Sequence, residues 1–170
     1  SEDIEVSYHT VTTGSADGSD FTEAAAGTMT IAAGDTTGTI QITLNNDTLV
    51  EPDESFQVVL DGASTTGGAD VGVSGTTTAT GTINDDDQGL VAFSSASASA
   101  AEDVAGGQMD FDLTLDNAAS EDIEVSYHTV VGTADGSDFT EVAAGTMTIA
   151  AGDTTGTIQI ALNNDSIVEI

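Results

Sequence analysis

Acidic side chains are dense in the turn between Asn45 and Phe56. Carboxylate oxygens at this density suit a hard divalent cation such as Ca²⁺, which takes about six to eight oxygen ligands at about 2.3–2.6 Å. The same turn begins again at Asn163, as Asn-Asn-Asp-Ser-Ile-Val-Glu. We therefore treat the turn as a candidate cation site. Its acidic residues are Asp47, Glu51, Asp53 and Glu54.

Three other acidic groups are candidates for the same kind of site. Loops at one end of a β-sandwich come from several strands, so carboxylates that are distant in sequence can meet there. Two carboxylates about 4 Å apart repel by about 1 kcal/mol in water and about 4 kcal/mol at an effective dielectric of 20, so a cluster of them favours a bound cation. A single acidic residue is better explained as a solvated loop residue. The three groups are Asp17 with Asp20, Asp85 to Asp87, and Glu102 with Asp103.

The charge of the chain excludes several classes of function. It has 30 acidic residues, no Lys and no Arg, which gives a net charge of −30. Such a chain is repelled by nucleic acid and by anionic membranes, and cations are its natural partners. No Cys is present to form a disulfide or a thiolate metal site. No apolar run approaches membrane-spanning length.

The two histidines do not indicate catalysis. His9 and His128 occupy the same place in two copies of one strand pattern, and no Ser and Asp are placed to form a triad with either. Both are predicted to lie on the solvated face of that strand. We predict that the chain is not an enzyme.

The elements that must position the acidic groups repeat along the chain. Residues 1–11 return unchanged as 120–130, and residues 18–46 return as 136–164 with two differences, Ala24/Val142 and Thr43/Ala161. One repeat is therefore about 118 residues, a usual size for one domain. The sequence indicates that residues 1–87 are the later part of one repeat and that 88–170 are the earlier part of the next, as in an excerpt from a longer array.

Alternating apolar residues predict β-strands throughout. Ile4, Val6 and Tyr8 alternate with polar residues, and so do Ile40, Ile42 and Leu44, which gives each strand one buried face. A complete repeat is expected to contain about seven strands, a pattern typical of an all-β, immunoglobulin-like sandwich. By this prediction 1–87 lack the first two strands and 88–170 lack the last two. The predicted strands are 90–94, 108–115, 121–129, 146–150 and 156–162, with equivalents of 55–60 and 76–83.

Several motifs together resemble the Calx-β domain. They are Thr-Ala-Asp-Gly-Ser-Asp-Phe-Thr at 133–140, Gly-Asp-Thr-Thr-Gly-Thr-Ile at 152–158, the acidic turn at 46–56 and Gly-Thr-Ile-Asn-Asp-Asp-Asp at 81–87. The resemblance covers essentially the whole chain in permuted order. It implies an immunoglobulin-like sandwich that binds Ca²⁺, as in exchangers and in large repetitive bacterial surface proteins. Asn46 and Thr48 stand where the exchanger turn is acidic, which implies fewer ions per domain.

The resemblance also implies which residues are ligands. In calcium-binding members they come from a first-strand Glu, the Ser-Asp-aromatic loop, the acidic turn and the terminal Asp run. Asp53 is also a candidate ligand, but only because it lies in the acidic turn, since the resemblance does not imply it. By position, the family ligands are Glu102, Asp20 or Asp138, Asp47 or Asp165, Glu51 or Glu169, Glu54, and Asp85, Asp86 and Asp87.

These observations predict a structural module of an extracellular or cell-surface bacterial protein, such as an adhesin, matrix fibre or surface filament. Calcium would stiffen the short joints between neighbouring repeats. The predicted partners of the module are calcium ions and the neighbouring repeats of the same chain or filament. Two alternatives remain: a calcium-sensing regulatory module of a larger membrane protein, and a filament subunit completed by strand exchange, because part-domains leave unpaired sheet edges. The prediction includes neither nucleic-acid binding nor membrane insertion by this segment.

Overall fold

A computed structural model describes residues 2–165, and every regular element in that range is a β-strand. The all-β class is therefore confirmed, and it is consistent with an immunoglobulin-like sandwich. No helix in the described range is long and apolar enough to cross a membrane. The strands are β1 (Ile4–Val11), β2 (Gly27–Ile31), β3 (Glu54–Thr65), β4 (Thr78–Ile83), β5 (Val91–Phe93), β6 (Gln108–Leu115), β7 (Ile123–Tyr127), β8 (Gly145–Ile149) and β9 (Thr155–Ala161).

The chain forms two compact units. The first runs up to Asp47 and resumes from Pro52 to Asp85, and the second joins Thr48–Glu51 to the chain from Asp86 onward. The first unit contains an antiparallel sheet in the order β2-β1-β3-β4. In the second unit, strands pair as β5-β6-β9 and as β7-β8, all antiparallel.

Each unit has its own apolar core. Ala16, Phe21 and Phe56 are buried together in the first unit, with Val58 and other partly buried side chains around them. In the second unit Leu113, Ile158 and Ile160 form the buried cluster, and these three side chains point inward from β6 and β9 at alternate positions. Leu113, Ile158 and Ile160 lie in predicted strands, and so does Phe56. Ala16 and Phe21 lie in a loop for which the alternation pattern predicted no buried face.

Identical sequences build different strands in the two copies. Ile4–Val11 forms an eight-residue strand, whereas its copy forms the five-residue strand Ile123–Tyr127. The greater length of β1 is explained by its second neighbour. β1 pairs with β2 on one edge and with β3 on the other, and the pairing with β3 extends to Val11 opposite Gln57. Within residues 2–165, β7 pairs with β8 alone.

The predicted strand at Ile40–Leu44 is wrong for this structure. Residues 37–43 form no strand, and Leu44 makes a single bridge to Phe21. The near-identical Thr155–Ala161 does form β9, because β6 lies beside it and pairs along its length. A strand needs a hydrogen-bonding neighbour, and the described part of the first unit supplies none for 37–43.

A tyrosine covers a glycine in both copies. Tyr8 is opposite Gly27 across β1 and β2, and Tyr127 is opposite Gly145 across β7 and β8. A Cβ built on Gly145 would meet the Tyr127 ring at 2.5 Å, so the ring occupies the space a side chain would need. This pair, unlike the strand lengths, does not depend on the neighbouring strand.

Candidate metal centre

The loop that carries Asp20 is organised by its own hydrogen bonds. The N–H of Asp17 donates to Asp20 Oδ2 at 2.6 Å, and the Ser19 hydroxyl and N–H both donate to Asp17 Oδ1, at 2.6 and 2.8 Å. The Asn45 N–H donates to the Asp20 carbonyl at 2.8 Å, which ties the loop to the start of the acidic turn. The next residue, Phe21, anchors the loop in the core.

The second copy reproduces this loop. The Asp135 N–H donates to Asp138 Oδ2 at 2.7 Å, Ser137 donates twice to Asp135 Oδ1, and the Asn163 N–H donates to the Asp138 carbonyl. The loop is therefore encoded locally, because it forms in both copies although their neighbouring strands differ.

Hydrogen bonds from serine favour the ionised form of one carboxyl in each loop. The Ser19 hydroxyl, followed by the Ser19 N–H, lowers the pKa of Asp17 below its ordinary value of 3.8. For Asp135 the Ser137 N–H contributes most to the lowered pKa and the hydroxyl follows. Both carboxylates are thus acceptors that hold the loop, rather than proton carriers near neutral pH.

Three carboxylates meet beside this loop. Asp20, Glu51 and Glu54 each place one oxygen so that all three atoms lie within 4.8 Å of one another. Asp20 is 8% exposed, so this carboxylate is buried, unlike the other acidic side chains of the described chain. Glu54 is the first residue of β3, and Glu51 precedes it by three positions in the turn.

The spacing of these oxygens fits a single calcium ion. Two oxygens bound to one ion at about 2.4 Å can be separated by at most about 4.8 Å, and carboxylates bind Ca²⁺ through one or both oxygens. Three carboxylates supply three to six such contacts, and backbone carbonyls or water can complete the shell. With no Lys or Arg in the chain, no strong cationic side chain is available to balance the cluster.

The remaining acidic residues of the turn and the joint have different surroundings. Asp53 accepts a hydrogen bond from the Asp85 N–H at 3.2 Å, so this carboxylate holds the backbone at the end of the first unit. Asp47 and Asp86 are exposed, whereas Asp85 and Asp87 are half-buried. Within the described part of the chain none of these residues joins the three-carboxylate cluster, and their role as ligands stays a prediction.

The predicted ligands of the second copy are more dispersed. Glu102 and Asp138 line the same cavity of the second unit, and Asp165 is exposed. Within residues 2–165, the cluster of three carboxylates lies in the first copy, at Asp20, Glu51 and Glu54. Glu169, the counterpart of Glu51, lies outside the described residues.

One ionic contact was not expected from the sequence. A chain without Lys or Arg is expected to form no salt bridges, yet His9 Nδ1 lies 2.8 Å from Asp61 Oδ1. This is a hydrogen bond that becomes an ion pair when the imidazole is protonated. Asp61 lies where the register between β1 and β3 shifts, a bulge that the alternation pattern does not reveal.

Two solved structures are similar to this chain. The chain is similar to the solved structure of the calcium binding domain CBD12 of CALX1.1, with 25% identity and a TM-score of 0.43, over 97% of this chain and 65% of that one. For CBD12 from CALX1.2 the identity is 25% and the TM-score 0.45, over 99% of this chain and 65% of that one. The chain thus spans about two thirds of either. No curated protein sequence matches it.

The family model for the Calx-beta domain matches the chain twice. The matches cover residues 1–87 and 84–170, which together include every position of the sequence. Both matches contain the repeated Asp-Gly-Ser-Asp-Phe loop whose geometry is described above. The chain therefore belongs to the Calx-beta domain family.

Proposed function

We propose that this chain is a calcium-binding structural module of a repetitive extracellular protein, such as an adhesin, a matrix fibre or a surface filament. The observation that carries the proposal is the cluster of Asp20, Glu51 and Glu54, whose oxygens lie within 4.8 Å of one another. The chain belongs to the Calx-beta domain family, which includes calcium-binding members, and this supports the choice of ion. The proposal assigns the chain no catalysis.

Calcium would act here as a mechanical clamp. One ion bound to all three carboxylates would connect the Asp20 loop to the acidic turn and to the first residue of β3. It would also offset repulsion in a chain that has a net charge of −30. Both effects favour the folded and ordered state, which suits a load-bearing module.

The repeat pattern supports an array rather than a single sensor. The two near-identical copies share the same Asp-Gly-Ser-Asp-Phe loop, as expected when both repeats do the same task. Extracellular calcium modules bind at about 10⁻⁴–10⁻³ M, so a site of modest affinity is sufficient in that location. We propose an extracellular location on a bacterial cell, because the large repetitive surface proteins that the motifs resemble are bacterial.

A calcium-sensing module of a larger membrane protein is the second candidate. Glu54 is both a member of the cluster and the first residue of β3, so ion occupancy could shift the start of that strand. In a sensor, this shift would be the signal passed to the rest of the protein. In a structural module, the bound ion would instead hold the start of the strand in place.

The test compares the chain with calcium and with a chelator at one fixed ionic strength, with magnesium as the control ion. A structural module predicts a higher melting temperature and a smaller radius of gyration in calcium than in either control. Equal values in all three conditions would refute the calcium role. A change of conformation with calcium but no gain in melting temperature would favour the sensor.

A further inference from the structure

A methionine thioether lies against a glycine at the same position of both copies. A Cβ built on Gly38 would come within 2.5 Å of Met29 Sδ, and one built on Gly156 would come within 2.9 Å of Met147 Sδ. Neither glycine has a positive φ, so the backbone conformation does not require glycine at these positions. The thioether therefore occupies the space that a side chain would need.

The contact forms although different strands surround the two copies. β2, which carries Met29, is the outer strand of the sheet β2-β1-β3-β4, and Gly38 lies outside any strand. In the second unit Met147 lies in β8, whereas Gly156 lies in β9 and pairs with Leu113. The contact is thus encoded within residues 29–38 and 147–156, and it does not depend on the other strands of either unit.

The second unit shows where the sulfur lies. β8 and β9 belong to different sheets, so Met147 bridges the two sheets where it packs on Gly156. Its side chain also packs against the buried cluster of Leu113, Ile158 and Ile160. Met147 is nevertheless only half-buried. The thioether is therefore part of the packing between the sheets, and a small solute can still reach it.

The composition makes methionine the most easily oxidised residue type of the chain. The sequence has three Met and neither Cys nor Trp. Without thiols, a mild two-electron oxidant reacts first with the thioethers, and methionine sulfoxide is the usual product. Two of the three thioethers lie in the glycine contact described above, and the third, Met109, lies in β6.

We propose that Met29 and Met147 are oxidative modification sites for a small peroxide, and that their conversion to sulfoxide loosens the packing of the repeat. The sulfur lone pair attacks one oxygen of hydrogen peroxide, and the S–O bond forms as the O–O bond breaks. The departing hydroxide takes up the proton left on the transferred oxygen and becomes water. The sulfur loses two electrons and the peroxide gains them. The inference does not depend on calcium binding.

The consequence follows from the space around each sulfur. The sulfoxide oxygen is polar, and it adds volume at a place where the thioether already contacts a glycine. In the second unit Ile149 is 1% exposed, and its Cγ1 lies 3.1 Å from the position of a Cβ on Gly156, so the sulfoxide has an apolar neighbour there. A polar group without a hydrogen-bond partner is costly in such surroundings. Oxidation should therefore weaken the packing of β8 on β9 and the equivalent contact in the first unit.

The test treats the full chain with hydrogen peroxide and then measures sulfoxide formation and the melting temperature. The chain has no Lys or Arg, so a protease that cleaves after Glu and Asp prepares the peptides. Peptides 24–35 and 142–153 carry Met29 and Met147 and differ only at Ala24 and Val142, so mass spectrometry reads each site separately. We expect oxidation at both sites and a melting temperature lowered by at least about 2 °C.

The double variant Met29→Leu with Met147→Leu is the matched comparison, since Leu has nearly the volume of Met and no thioether. It should keep its melting temperature after peroxide treatment, although Met109 is still oxidised. Met109→Leu should lose as much as the native chain. Equal losses in the double variant and the native chain would assign the effect to Met109 and overturn the proposal. So would sulfoxide at Met29 and Met147 with an unchanged melting temperature, or no sulfoxide there once Met109 is fully converted.

Discussion

The rings of Phe21 and Phe56 stack at a centroid distance of 4.2 Å and an interplanar angle of 20°. This contact joins the residue after Asp20 to a residue two positions after Glu54, so two carboxylates of the cluster are positioned by one apolar pair. Gly81 lies under the Phe56 ring, where a Cβ would come within 2.8 Å of it. The metal candidate thus depends on the core beneath it.

Phe21→Ala should destabilise the first unit by about 3–5 kcal/mol, because it removes a fully buried ring from a packed core. Phe139→Ala is the matched control, since the same residue in the second copy is half-buried beside a cavity. Its cost should stay below about 2 kcal/mol. Urea unfolding of both variants measures the difference, and equal costs would contradict the unequal packing of the two copies.

Gly145→Ala should also destabilise the chain, by about 1–3 kcal/mol, because the new methyl would overlap the Tyr127 ring. Gly132→Ala serves as control, since a Cβ there meets nothing within 4 Å. Urea midpoints of the two variants check this. A loss of stability in Gly132→Ala as large as that in Gly145→Ala would show that backbone freedom, and not the ring, explains the effect.

Much of the fold could be predicted from alternation, because one face of each strand is buried and the other is solvated. The strand pattern around Val6 and Val125 was predicted correctly. Asp20, Glu51 and Glu54 lie close together in the structure, and their role as ligands stays a prediction. The failure at Ile40–Leu44 has a physical cause, since alternation marks a possible strand but cannot supply its neighbour. The bulge at Asp61 depends on cross-strand register, which sequence periodicity does not encode.

Ser19→Ala should raise the pKa of Asp17 toward 3.8, because the hydroxyl bond is the main cause of its lowering. The folded-state pKa lies below the unfolded value, so this interaction stabilises the fold above about pH 3.8 and is lost as the pH falls through the lowered pKa. Carboxyl NMR titration without calcium measures it.

The second copy provides the comparison for that titration. Ser137→Ala should raise the pKa of Asp135 less than Ser19→Ala raises that of Asp17. The Ser137 N–H, which the substitution keeps, contributes most to the lowered pKa of Asp135. If both serine variants left both pKa values unchanged, the hydroxyl bonds would not form in solution.

Monovalent salt should stabilise the chain even when calcium is chelated. The 30 carboxylates repel one another, and about 1 M salt shortens the screening length to about 3 Å. The melting temperature in chelator should therefore rise between about 0.1 and 1 M NaCl. A constant or falling melting temperature would mean that charge repulsion does not limit stability.

Calorimetric titration with calcium at constant ionic strength tests the central claim most directly. The chain and an Asp70→Asn variant, which loses one exposed carboxylate outside the cluster, should bind calcium with equal affinity. Glu54→Gln should weaken binding at the first copy by at least about tenfold, or roughly 1.4 kcal/mol. Equal affinities for all three proteins, or no binding by any, would contradict a calcium site built on Asp20, Glu51 and Glu54.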